Sequence, residues 1–160
     1  MTYPDPLYTG SNPAVTATIR RAGGEPDLVR TTGTEGHYLA TGDTTGGLFG
    51  LYRWSMGSAR GGAGPHFHRT MAESFYVLSG TVQIYDGKEW VDAGVGDFAH
   101  VPPGGIHGFS NESGEPASML IHFAPGAPRE QYFEGLNHLN EMSPEEQADF
   151  FLAHDNHFLD

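Results

Sequence analysis

Between Gly61 and Asn111 the chain is broken every few residues by glycine or proline, at Gly61, Gly62, Gly64, Pro65, Gly80, Gly87, Gly94, Gly96 and the run Pro102-Pro103-Gly104-Gly105. Helices do not survive such punctuation, so this stretch must fold as short strands joined by tight turns. Its polar residues are placed with the same economy. His66 and His68 are two apart, and on a strand both imidazoles leave the same face. Glu73 can reach that face from the next strand, and His107 from a strand far along the chain. Three imidazoles and one carboxylate meeting at a point make a site for a divalent transition metal.

The spacing resembles the two sequence motifs of the cupin superfamily. The first, G-x5-H-x-H-x4-E-x6-G, is met by His66, His68, Glu73 and Gly80, with Arg60 at the place of the opening glycine and Gly61 and Gly62 just inside it. The second, G-x5-P-x-G-x2-H-x3-N, is met by Gly96, Pro102, Gly104, His107 and Asn111. The resemblance implies an all-β fold, an antiparallel jelly-roll β-barrel of a single-domain, quercetin-dioxygenase-like kind. It also implies one divalent metal bound inside by His66, His68, Glu73 and His107. Iron is the first expectation, and manganese, nickel, cobalt, copper and zinc accept the same ligands. The plainer alternative is a cupin barrel that has lost its metal.

Composition narrows the class. A chain of 160 residues is one domain by size. Its net charge of −12, with a single lysine at Lys88, argues against nucleic acid and anionic membrane surfaces as partners. With no cysteine, any metal must sit on nitrogen and oxygen. The start, Met1-Thr2-Tyr3-Pro4-Asp5-Pro6, has neither a basic opening nor an apolar core, and the expected location is the cytoplasm.

Three segments are expected: an arm over 1–13, a barrel over 14–126 and a helical segment over 127–160. Partial alternation over Ala14 to Arg21 suggests a strand, and by the resemblance such a strand packs on a partner subunit, which makes a homodimer the expected assembly. An ordinary edge strand reads equally well. Leu28 to Thr32 and His37 to Thr41 read as short strands. In Gly47 to Met56 large apolar groups fall on both faces, so both should be covered. Arg60 to Gly64 reads as a glycine-rich loop. Asp86-Gly87 is a hairpin turn, and Ala117 to Phe123 is the last strand. Arg129 to Leu139 and Pro144 to Ala153 read as helices, the second opened by Ser143, Pro144 and Glu146 as a capping box.

Alternation from Glu73 sends Phe75 and Val77 inward, and from His107 it sends Phe109 and Asn111 inward. Together with Trp54 and Met56 these give an apolar, aromatic substrate pocket: Trp54, Met56, Phe75, Val77 and Phe109. Arg53, Arg60 and Arg69 are the cations near the motifs, and none is forced inward. The expected substrate is therefore a small aromatic, enol or ketone that chelates the metal. A dioxygenase is the leading expectation, with Glu73 as ligand and base. A metal-dependent isomerase or polyketide-type cyclase is the alternative, and a non-enzymatic binding cupin the third reading. Of the other histidines, His100 and His122 are the candidates for a further base.

Overall fold

The structure, a computed structural model, describes residues 2–14 and 16–159. Ten strands run in order before the helices: β1 (Leu28–Val29), β2 (Glu35–Ala40), β3 (Gly50–Met56), β4 (Gly61–Phe67), β5 (Ala72–Ser79), β6 (Val82–Tyr85), β7 (Trp90–Ala93), β8 (Phe98–Val101), β9 (His107–Asn111) and β10 (Ala117–Ala124). They are followed by α1 (Arg129–Gly135), a 3-10 segment (Leu136–Glu141), α2 (Pro144–Ala153) and a short last strand, β11 (His157–Phe158). All pairing is antiparallel. One sheet has the order β1-β2-β3-β10-β5-β8 and the other β11-β4-β9-β6-β7.

The inner faces of the two sheets bury one core, in which Tyr52, Phe75, Val77, Val82, Met119, Ile121 and Phe123 are almost wholly enclosed. Period-two alternation builds it directly. In β10 every second residue from Ala117 to Phe123 is buried, and in β3 Tyr52, Trp54 and Met56 are. The helices close one end. Phe133 of α1 stands 4.9 to 6.5 Å, ring to ring, from Trp54, Tyr52, Phe123 and Tyr38. Ser143 and Glu146 form the expected capping box at the start of α2.

Three local expectations differ from the structure. Residues 16–21 form no strand and are exposed, and Val15 lies outside the described residues. Ile19 is the one large apolar side chain there, and it is 71% exposed. Burying so little would not offset the entropy of fixing the backbone. The first strand is therefore β1, at Leu28. The outward face of β3, with Leu51, Arg53 and Ser55, is half-buried and carries no helix of this chain. Gly61 to Gly64 is no loop but the first half of β4, paired with Asn111, Ser110 and Phe109 of β9. The glycines are what allow that pairing: a Cβ on Gly62 would lie 1.9 Å from the Phe109 carbonyl oxygen. The register shifts between Ala63 and His66, so a bulge at Gly64-Pro65 sets the direction of the first ligand.

Candidate metal centre

Both sheets supply the four residues. His66 sits on β4 directly opposite His107 of β9, with ring centroids 4.3 Å apart. His68 follows the end of β4, and Glu73 reaches in from β5 of the facing sheet. All four are buried, and one ligand atom from each lies within 4.8 Å of the others.

The hydrogen bonds decide what this cluster can hold. The Nδ1 atoms of His66, His68 and His107 face the backbone carbonyls of Gly64, Asp155 and Gly105 at 2.8, 2.7 and 3.0 Å. A carbonyl only accepts, so each Nδ1 carries the proton and donates it, and each neutral ring keeps a lone pair on Nε2. Two of those Nε2 atoms, on His68 and His107, stand 2.9 and 2.7 Å from Glu73 Oε2. Lone pairs facing a carboxylate at these distances repel unless a proton or a cation lies among them. A proton answers one contact at a time, whereas a divalent transition metal answers all four donors at once, and the donor set fits one.

Without a cation, protons on the Nε2 atoms of His68 and His107 take its place: burial alone would raise the Glu73 carboxyl, but the hydrogen bonds these donate outweigh it and hold the group well below the ordinary carboxylate range. Burial pushes His66 down to about 4, against the pull of Glu73, so it is neutral and ready to coordinate. Burial also works to lower His107, but its hydrogen bond to Glu73 prevails and the net shift is upward.

The end of the chain locks the ligands in place. Asp155 accepts through its backbone oxygen from His68, while its carboxylate takes the backbone N–H groups of Arg69 and Thr70 and the Thr70 hydroxyl. β11 then pairs Phe158 with His66 and His157 with Phe67. Arg129, at the start of α1, fastens this segment by donating to the His154 carbonyl at 2.8 Å and to Asn156 Oδ1 at 2.9 Å. Asn156 in turn donates to the Tyr132 hydroxyl.

Beside the cluster lies a cavity of about 230 Å³, walled by His66 and Glu73 at one side and by Trp54, Phe109, Phe123, Phe133 and the C-terminal segment elsewhere. Of the expected pocket residues, Trp54 and Phe109 line it. Phe75 is buried behind His107, 6.0 Å from it ring to ring, and does not. Val77 pairs with Met119 and Met56 with Ala117, toward the far end of the barrel from Glu73, which pairs with Phe123. Alternation gives the face a side chain leaves from but not its depth, and four residues along a strand is about 13 Å. His100 and His122 point away from the site: His100 contacts Ser74 and His122 packs on Phe49, both outside the barrel. Arg30, Arg129, Tyr132 and Asn156 line the cavity without having been expected there. One signal was available: Arg129 is the last cation before a tail holding eight of the twenty acidic residues.

Residues 53–123 match the family model described as a cupin domain. Among solved structures, KdgF from Halomonas sp. superposes with a TM-score of 0.59 at 16% identity, over 71% of this chain and 96% of that one. A predicted oxalate decarboxylase from Thermotoga maritima gives 0.60 at 17%, over 68% and 99%. The polyketide cyclase RemF from Streptomyces resistomycificus gives 0.57 at 24%, over 71% and 82%. No curated protein matches the sequence. At these identities what is shared is the fold. Among the described residues no helix is long and apolar enough to cross a membrane.

Proposed function

We propose that the chain, which has the cupin fold and matches the cupin-domain model over residues 53–123, is a metal-dependent enzyme, a dioxygenase acting on a small enol, ketone or aromatic substrate that chelates the metal through oxygen. The observation that carries this reading is the buried cluster of His66, His68, Glu73 and His107 opening onto an enclosed cavity through His66 and Glu73. When bound there, the metal supplies Lewis-acid character and, if it is redox-active, access to dioxygen. The protein's own residues do the rest. The three histidines are fixed in one tautomer by backbone carbonyls. Trp54, Phe109 and Phe133 exclude water and orient a planar substrate. A proton taken from the substrate would rest on Glu73 Oε1, the oxygen that faces neither His68 nor His107.

A second reading is a metal-dependent isomerase or cyclase that uses no oxygen. The shared fold with RemF, described as a polyketide cyclase, favours it. Elemental mass spectrometry of freshly purified protein, with oxygen uptake measured on a panel of chelating phenols and diketones, separates the two. Stoichiometric iron, manganese, nickel or copper with oxygen uptake is the expected result. Stoichiometric zinc with turnover and no oxygen uptake would establish the isomerase or cyclase. Protein without metal would overturn both and leave a binding module.

A further inference from the structure

The cavity wall has hydrogen-bond donors to spare, and its one free carboxylate oxygen, Glu73 Oε1, lies on the histidine side. Arg30 and Arg129 both line it, and the Nε atom of each is buried with no hydrogen-bond partner. Arg129 is 3% exposed, and its other two nitrogens are spent on the His154 carbonyl and Asn156. Tyr132, the third such group, accepts from Asn156 Nδ2, so its own O–H proton finds no acceptor among the described residues. Burial pushes that phenol up to about 12 and keeps it a donor at neutral pH. On the acceptor side, Glu73 Oε2 is engaged by His68 and His107, and Asn156 Oδ1 by Arg129. The buried Asn137 Oδ1 also lacks a partner, but it does not line the cavity.

Such a surplus is costly to an empty site and favourable to one kind of occupant. A buried, unpartnered donor costs about 1–3 kcal/mol, and more when it is charged. The chain has only eight lysines and arginines against twenty acidic residues, yet two of the eight face this cavity with no ion pair to a carboxylate among the described residues. An anionic group is what a fork of guanidinium and phenol donors recognises.

We propose that the substrate carries a carboxylate, read by Arg30, Arg129 and Tyr132 at the end of the cavity formed by α1 and the residues after β1, while its other oxygens face the His66–Glu73 side. This deepens the enzymatic reading above and rests on it for the metal end of the substrate. It also amends the expectation of a pocket without fixed cations: Arg53, Arg60 and Arg69 do stay outside, and the cations come instead from residues far from both motifs.

The test compares 3,4-dihydroxybenzoate with 3,4-dihydroxybenzamide by titration calorimetry on the protein as purified. Both probes are planar and offer two adjacent hydroxyl oxygens for chelation, and they differ in the carboxylate at the opposite end of the ring. The expected result is at least a tenfold preference for 3,4-dihydroxybenzoate in the wild type, falling below threefold in Arg30→Gln, with metal content and melting temperature unchanged. Equal affinities in the wild type would overturn the proposal, whatever the variant does. So would a preference that survives Arg30→Gln, because the anion would then be read by the metal or another group. Metal content measured on the same samples keeps the two readings apart. A preference that depends on Arg30 in protein lacking metal would uphold the carboxylate site and sink the metal-dependent enzyme.

Discussion

Glu73 is a carboxylate buried among three imidazoles, kept ionised by hydrogen bonds that outweigh the cost of its burial. Its charge holds the site together, and two substitutions separate its roles. Glu73→Ala removes a ligand and is expected to purify with little metal, a loss of affinity of at least about 100-fold. Glu73→Gln keeps the volume and one oxygen but neither the charge nor the basicity, so part of the metal should remain while turnover fails. Full metal occupancy in Glu73→Ala by elemental analysis would show that the ligands are assigned wrongly. The same residue sets the pH dependence. His107 has its pKa raised by Glu73, so its proton competes with the metal at a higher pH than that of a free imidazole. As pH falls through that raised value His107 becomes charged and metal is released, whereas His66, lowered to about 4, stays neutral through the same range. Metal affinity titrated against pH should therefore decline as pH falls through the raised value of His107, and a flat profile down to pH 5 would contradict the geometry. At this scale the cluster of four was legible in the sequence through its motif spacing, although His68 stands just past the end of β4 and not on the strand. Arg30, Arg129 and Tyr132 were not, because no local period tells which side chains after β1 or on a short helix will turn toward the mouth of a barrel.

The elements that carry the ligands are held by one that the sequence hardly signals. β11 is two residues long, too short for any alternation to show, yet it pairs with the strand bearing His66. Asp155, in the left-handed region at φ 56°, turns the chain from α2 into it. Its carboxylate accepts three hydrogen bonds from Arg69 and Thr70. Burial works to raise the Asp155 carboxyl, but the Thr70 hydroxyl and the two backbone N–H groups prevail and lower it. Asp155→Ala leaves those donors without a protein partner and should cost about 1–3 kcal/mol, read as a lowered melting temperature. It should also loosen the carbonyl that fixes His68, lowering metal affinity by about 10-fold or more. A variant that melts earlier but keeps wild-type metal affinity would mean that the C-terminal segment serves stability alone. The contrast with β4 and α2 is instructive. The capping box of α2 is a local code and could be read directly. The glycines of β4 suggested a loop, and only the close approach of β9 shows why a strand needs them there.

At the scale of the whole molecule, the outer face of the six-stranded sheet is left without a cover. Tyr76, Leu78 and Phe98 are exposed there, and Tyr76 and Phe98 frame, with the half-buried Leu51 and Leu120, a mainly apolar depression along β3, β10, β5 and β8. Phe98, opposite Tyr76 on the edge strand β8, is 65% exposed. The segment before β1 adds Leu7, Tyr8 and Ile19, all exposed. Patches of this kind on a chain of −12 net charge are covered by another protein surface more readily than by an anionic one. The partner we propose is a second copy of the chain. Its sheet would lie face to face with this one, and its N-terminal segment would supply the apolar cover that residues 16–21 do not give their own barrel. Light scattering coupled to size exclusion should give twice the 17.3 kDa of the single chain. Phe98→Asp, which places a charge in the middle of the contact and touches neither the core nor the metal ligands, should shift the population to monomer with metal content intact. A wild type that runs as a monomer at tens of micromolar would assign the face to some other partner. A Phe98→Asp variant that remains dimeric would place the dimer contact on another surface of the barrel.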